Sequence, residues 1–242
     1  MTHSIVVPAH NEAENLEPYV STFVDRLLAR MPEVDWEVLL VENGSRDDTL
    51  ACARRLEARY PDTVRVLSNA RGSYGEAIKR GMLEARGARV TVLECDFLDL
   101  DFVRRSIDAL ERGARFVVGS KRHPESVDRR PLKRRLLTRA FNALLKLAFG
   151  YPGTDTHGLK TIDAALAKEL CRKALTTDEV FQTEIVLLAW KLGEEIVELP
   201  VRIEEVRCAP VSIPRRFPMV IDLVAQLRRS LERFPPGKAG RG

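Results

Sequence analysis

Short runs of β-branched and apolar residues alternate with longer amphipathic stretches over the first half of the chain, and this alternation leaves few architectures open. Ser4–Ala9, Trp36–Glu42, Val64–Leu67, Arg89–Leu93 and Phe116–Gly119 read as buried strands. Helices are expected from His10 to about Arg30 and over Leu50–Tyr60, Glu76–Arg86 and Asp101–Arg112. Strands and helices in this order predict an α/β fold, a mostly parallel sheet with helices on both faces. Right-handed crossovers bring the loops that follow the strands to one edge. His10–Glu12, Glu42–Ser45, Asn69–Gly75 and Glu94–Asp99 should therefore meet at a cleft. No GxGxxG motif follows the first strand and no Walker-type phosphate loop occurs, so neither device shapes that cleft.

The fourth strand ends in Glu94, Cys95, Asp96, Phe97, Leu98 and Asp99. On an extended chain, residues two apart point the same way, so Glu94 and Asp96 should face one direction and Cys95 the core. Like charges held close repel unless a cation or a proton lies between them. A hard divalent ion, with waters and substrate phosphates completing its shell, resolves the repulsion. An acidic turn facing solvent is the plainer alternative, and the neighbouring loops decide between the two.

Those loops carry a family resemblance. Val6 to Asn15 (VVPAHNEAEN), Val41 to Thr49 (VENGSRDDT), Asn69 with Gly72, Gly75 and Ala77, and Glu94-Cys95-Asp96 resemble the successive motifs of family 2 glycosyltransferases of the GT-A fold. The dolichyl-phosphate mannose synthase-like subgroup is the nearest, and its members move a sugar from a nucleotide-sugar to a polyprenyl phosphate with inversion. In the second half Gly119-Ser120-Lys121-Arg122, the helical line Arg134, Thr138 and Asn142, the stretch Asp155 to Lys160, Phe181 to Glu184, and Arg207 to Ser212 are similar to later motifs of the subgroup. Lys121 stands where the family has arginine, Glu42 and Asn43 where it has two aspartates, and Glu94 where it has the first aspartate of Asp-x-Asp.

The resemblance implies a division of labour. Pro8, Ala9, His10, Glu12, Glu42, Asn43, Gly72, Glu94, Cys95 and Asp96 would hold the GDP- or UDP-sugar, and Glu94 and Asp96 would bind Mg²⁺ or Mn²⁺. Lys121, Arg134, Thr138, Arg207 and Ser212 would hold the acceptor phosphate, with Asp96, Arg134 and Arg207 the catalytic set. An acceptor phosphate oxygen is already ionised near neutral pH, so positioning, not a general base, supplies the rate. For any one member of the basic run Arg129, Arg130, Lys133, Arg134, Arg135 and Arg139, a solvated helix face is the commoner role.

Residues 1–213 are expected to form the catalytic domain, with a nucleotide-sugar half over 1–120 and an acceptor half over 121–213. Residues 214–234 should form an amphipathic helix flanked by arginines, suited either to an anionic membrane surface or to its own domain. Residues 235–242 read as a disordered tail. No apolar run is long enough to span a bilayer, and Cys52, Cys95, Cys171 and Cys208 lack metal-ligand spacing. Cytoplasmic residence follows, with peripheral membrane contact through the acceptor and no nucleic-acid partner. A soluble acceptor, or a silent sugar-nucleotide-binding protein, are the competing readings.

Overall fold

A computed structural model describes residues 2–203 and 217–234, the last of these with side chains from 222 onward. The elements follow in the order β1 (Thr2–Ala9), α1 (Leu16–Arg30), β2 (Asp35–Asn43), α2 (Thr49–Arg59), β3 (Val64–Asn69), α3 (Tyr74–Glu84), β4 (Arg89–Val92), α4 (Leu100–Glu111) and β5 (Phe116–Ser120). Then come β6 (Val127–Asp128), α5 (Leu132–Phe149), β7 (Lys160–Asp163), α6 (Ala164–Lys173), α7 (Phe181–Lys191), β8 (Ile196–Pro200), β9 (Arg202–Ile203) and α8 (Phe217–Glu232).

One seven-stranded sheet runs in the order β3-β2-β1-β4-β7-β5-β8, and β6 pairs with β9 beside it. The sheet is parallel except at β7, which lies antiparallel between β4 and β5. Both faces are covered, which is why β1 and β2 are apolar almost without interruption. Alternation along the strands splits the core in two. Val6, Leu39 and Val41 pack with α3, α6, α7 and α8 on one face. Ile5, Val7, Val38 and Leu40 pack with α1, α2 and α4 on the other. Pro8 is tolerated in a central strand because β4 pairs with β1 only as far as Val6.

One expectation changes, and two others gain detail. The helix predicted from His10 begins at Leu16, because the early residues are tied elsewhere, as described below. The expected acceptor half contributes β7 and β8 to the same sheet as the first 120 residues, so the two halves share a core. The tail helix α8 lies on the domain. Leu227 and Leu231 are buried in the core, Ser230 donates to Glu184 of α7, and the Lys173 ammonium sits 4.6 Å from the centre of the Phe234 ring. That side of the helix is therefore not open to a bilayer. Among the described residues no helix is long and apolar enough to cross a membrane.

Candidate active site

The ends of β1 and β2 are knitted together before any ligand enters. Asn11 takes a left-handed conformation (φ 54°), and its side-chain oxygen accepts from the Arg46 N–H at 2.9 Å. Its own N–H donates to Ser45 Oγ at 3.0 Å, and Glu12 N–H donates to Thr49 Oγ1 at 2.7 Å. These bonds hold residues 10–13 as a loop, so the first helix cannot include them. His10 Nδ1 donates to the Asn43 carbonyl at 2.8 Å, and Asn11 Nδ2 donates to His10 Nε2 at 3.1 Å, which together fix one tautomer.

Glu42, expected to bind the nucleotide-sugar, is buried and braces this mouth. One oxygen accepts from Ser45 N–H at 2.5 Å and the other from Ser68 Oγ at 2.7 Å. Asn43 is also buried, and its side-chain oxygen accepts from Ser73 N–H at 2.9 Å. Gly44 adopts φ +64°, and a Cβ there would stand 2.7 Å from Gly72 N, so the turn must be bare for the 71–73 loop to close on it. His10, Asn43 and Gly72 thus meet, and His10, Asn11, Arg46, Arg71 and Gly72 are exposed around them.

The acidic stretch departs from the extended geometry. β4 ends at Val92, and Glu94–Phe97 is a tight turn closed by a Phe97 N–H to Glu94 carbonyl bond of 2.9 Å. Two-residue alternation therefore does not align the carboxylates. Glu94 is half-buried and Asp96 exposed on the same turn. Cys95 is buried with the core residues of α1 and α4, so the cleft can meet only its backbone. Asp99 belongs to the next helix, where its carboxylate accepts from Phe102 N–H at 2.9 Å as the N-cap of α4.

Behind the turn lies a buried polar chain. The Tyr74 hydroxyl bonds Glu94 Oε1, Gln182 Nε2 donates to the Tyr74 oxygen at 2.6 Å, and Lys160 Nζ donates to Gln182 Oε1. Burial, and then the charge of Glu94, push the Tyr74 hydroxyl well above the usual phenol range, so it stays protonated. Both hydrogen bonds to the Glu94 carboxylate go to Oε1. A half-buried carboxylate with one oxygen pinned, beside an exposed second carboxylate, fits a hard cation that takes its remaining ligands from a diphosphate. No cluster of three metal-ligating side chains occurs among the described residues, consistent with that division.

At the end of β5 the acceptor-side residues are partly rearranged. Lys121 turns inward: its ammonium donates to the His157 carbonyl at 3.1 Å and lies 3.9 Å from the buried Asp155 carboxylate. Burial alone would raise the Asp155 pKa, but Lys121 and the N–H groups of His157 and Lys121 outweigh it and hold the carboxyl low. Lys121 is thus tied to the strand end through the His157 carbonyl and Asp155. His157, lowered to about 4 by burial and by Lys160 and Lys121, is neutral and stacks edge-on against Phe141. On α5, Arg134 and Thr138 are half-buried and Asn142 is buried, so the line expected from helical spacing does face the domain. Thr138 Oγ1 donates to the Arg134 carbonyl at 3.0 Å, which leaves its lone pairs as acceptors. Arg207 and Ser212 lie outside the described residues.

Reading the sequence by motif missed Tyr74, Lys160 and Gln182 as site residues. A signal was present for Gln182: Phe181 to Ala189 are buried all round, and Gln182, Thr183 and Glu184 are polar residues inside that helix. Buried polar groups need partners.

The model of the family "Glycosyl transferase family 2" matches residues 4–166. The dolichyl-phosphate beta-glucosyltransferase ALG5C of Trichomonas vaginalis is 28% identical over 236 residues, covering 91% of this chain and 69% of that protein. The dolichyl-phosphate beta-glucosyltransferase of Drosophila melanogaster is 29% identical over 219 residues, covering 84% and 67%. Among solved structures, glucosyl-3-phosphoglycerate synthase from Mycobacterium tuberculosis, in complex with Mn²⁺ and UDP-glucose, superposes with a TM-score of 0.68 at 21% identity, covering 98% of this chain and 80% of that one. That likeness confirms the GT-A-type α/β fold.

Proposed function

The chain belongs to glycosyl transferase family 2, and we propose that it transfers a sugar from a nucleotide-diphosphate sugar to a polyprenyl phosphate with inversion at the anomeric carbon. The observation that carries this reading is the acidic turn Glu94–Phe97, standing where the loops after β1, β2 and β3 converge. Relatives named as dolichyl-phosphate glucosyltransferases support the lipid acceptor and put glucose ahead of mannose as the sugar. UDP and Mn²⁺ are the first donor and cation to test, ahead of GDP and Mg²⁺.

Inversion corresponds to one in-line displacement. The acceptor's phosphate oxygen bonds to the anomeric carbon as the bond to the donor's diphosphate breaks on the opposite face. Glu94 and Asp96 would hold a divalent ion, whose charge would neutralise the departing diphosphate. Pro8, Ala9, His10, Glu12 and Gly72 shape the nucleotide's side of the cleft, with Glu42 and Asn43 holding their loops in register. Arg134 is suited to the acceptor phosphate, Thr138 joins it only by turning its hydroxyl away from the Arg134 carbonyl, and Arg207 and Ser212 are proposed for the same task. With an ionised oxygen as nucleophile, these residues act by orientation and by countering repulsion between two phosphorylated reactants.

The outer side of α5 supports a membrane-borne acceptor. Leu132, Leu136 and Leu147 are 65%, 50% and 87% exposed, and Lys133, Arg139 and Lys146 flank them. No acidic residue occurs between Asp128 and Asp155. An apolar stripe bordered only by cations suits an anionic lipid surface, on the cytoplasmic face in this proposal. The test is transfer of radiolabelled glucose from UDP-glucose to a polyprenyl phosphate in liposomes with Mn²⁺. Label should move into the organic phase as an acid-labile lipid. Transfer that proceeds equally without lipid would sink the acceptor assignment.

A further inference from the structure

The buried chain behind Glu94 has a direction, and a charged residue sets it. Lys160 has no exposed surface, makes no ion pair among the described residues, and donates to the Gly158 carbonyl at 2.7 Å as well as to Gln182. A lysine ammonium only donates. It therefore dictates that the oxygen of the Gln182 amide faces Lys160 and the nitrogen faces Tyr74. With Gln182 Nε2 occupying a lone pair of the Tyr74 oxygen, the hydroxyl proton points to Glu94.

We propose that Lys160 is a positioning residue for the cation site, acting through Gln182 and Tyr74 to hold Glu94 Oε1 and present Oε2 to a divalent ion. The inference rests on the reading of Glu94 as a cation ligand. Without Lys160 the amide can turn over. Tyr74 would then donate to the Gln182 oxygen, and Glu94 Oε1 would lose both its donors, the Tyr74 hydroxyl and the Gln182 Nε2 that lies 3.4 Å from it.

The chemistry of the site argues against packing as the reason for a lysine there. A buried, unpaired ammonium is costly, and an apolar side chain of the same length usually packs in its place with equal or greater stability. Burial lowers the Lys160 pKa to about 7, with Asp155 and Glu94 opposing the shift and Lys121 adding to it. The charged form can only donate, and it is this form, seated between the Gly158 carbonyl and the Gln182 oxygen, that sets the direction of the chain.

The experiment compares wild type, Lys160→Met, Tyr74→Phe and the double variant by thermal unfolding, first with a chelator and then in a MnCl₂ titration with UDP. Lys160→Met should unfold without cation at the wild-type temperature or above. It should need roughly tenfold more Mn²⁺ to reach the UDP-dependent stabilisation, the loss usual when a ligand's supporting hydrogen bond is removed. Tyr74→Phe should show the same loss, and the double variant no more than either, because all three break one chain. Wild-type Mn²⁺ dependence in Lys160→Met, or fully additive losses in the double variant, would overturn the inference. Should Lys160→Met fail to fold, Gln182→Leu breaks the next link with the lysine in place, and retained Mn²⁺ dependence there overturns it equally. If wild type itself shows no cation dependence with UDP or GDP, the reading of Glu94 fails first and takes this inference with it.

Discussion

Tyr74, the first residue of α3, gives its hydroxyl proton to Glu94, 20 residues further along the chain at the end of β4. The bond joins the loop after β3 to the acidic turn and holds one carboxylate oxygen in place before any cation arrives. A ligand so held does not have to be ordered on binding, which is the physical content of a preorganised site. Asp96, exposed on the same turn, is the adaptable half of the pair.

Asp96 on this turn and Asp99 just beyond it should separate cleanly on mutation. Asp96→Ala should abolish the stabilisation that a divalent cation adds to nucleotide-diphosphate binding. Asp99→Ala should leave that stabilisation intact and instead lower stability by about 1 kcal/mol, the typical worth of an N-cap side chain. Thermal shift with UDP, with and without Mn²⁺, reads both. Equal cation dependence in Asp96→Ala and wild type would remove Asp96 from the site.

Gly75 holds α3 against the segment leading into α7, and so keeps Tyr74 beside Gln182. A Cβ at this position would lie 2.1 Å from the Asp178 carbonyl oxygen and 2.7 Å from the Thr177 carbonyl carbon, while Glu76 N–H donates to the Thr177 carbonyl at 2.7 Å. Backbone atoms cannot step aside as a flexible side chain can. Gly75→Ala should cost about 1–3 kcal/mol in urea unfolding and weaken Mn²⁺-dependent UDP binding as well. Wild-type behaviour in both would mean that this contact does not set the position of α3.

The fold was legible because both sheet faces are covered: β1, β2 and β5 read as strands from unbroken apolar runs, and the meeting of their loops followed from crossover handedness. The start of α1 misled, since Glu12 and Glu14 look like a helix's first acidic turn, whereas the bonds of Asn11 and Glu12 run to residues 45–49. The turn at Glu94 was hidden because a strand's end leaves no period to detect. The chain Glu94, Tyr74, Gln182 and Lys160 was out of reach for a different reason. Tyr74 and Gln182 are 108 residues apart, a contact of the tertiary fold that no local period reveals.

Two histidines, the buried His3 and the half-buried His157, should make the protein labile to acid. Burial, with Arg89 adding to it, lowers His3 to about 3, and burial with Lys160 and Lys121 lowers His157 to about 4. Both folded values lie below the unfolded value of 6.5, so the unfolded chain takes up protons first as the pH falls. Stability present above pH 6.5 is then lost towards pH 4, by up to about 2 kcal/mol per histidine at pH 4.5. Urea midpoints at pH 7 and 4.5 should converge in His157→Gln relative to wild type. An unchanged difference would mean that His157 charges freely in the folded protein.

The last prediction concerns how the cleft reaches a lipid. If α5 is the contact, its outer leucines should matter and the tail helix should not, because Leu227 and Leu231 of α8 are already buried in the domain. Lys133, Arg139 and Lys146 are each exposed, and a cation near an anionic leaflet contributes about 1 kcal/mol. That attraction is screened over roughly 8 Å at physiological salt. The protein should therefore sediment with phosphatidylglycerol vesicles at low salt and release at high salt without detergent. Leu136→Asp with Leu147→Asp, both at exposed positions, should preserve the unfolding temperature and reduce sedimentation at least tenfold. Arg228→Glu with Arg229→Glu on α8 should alter it little. If the leucine pair leaves binding unchanged while the α8 pair abolishes it, the membrane face is the tail and the role assigned to α5 is wrong.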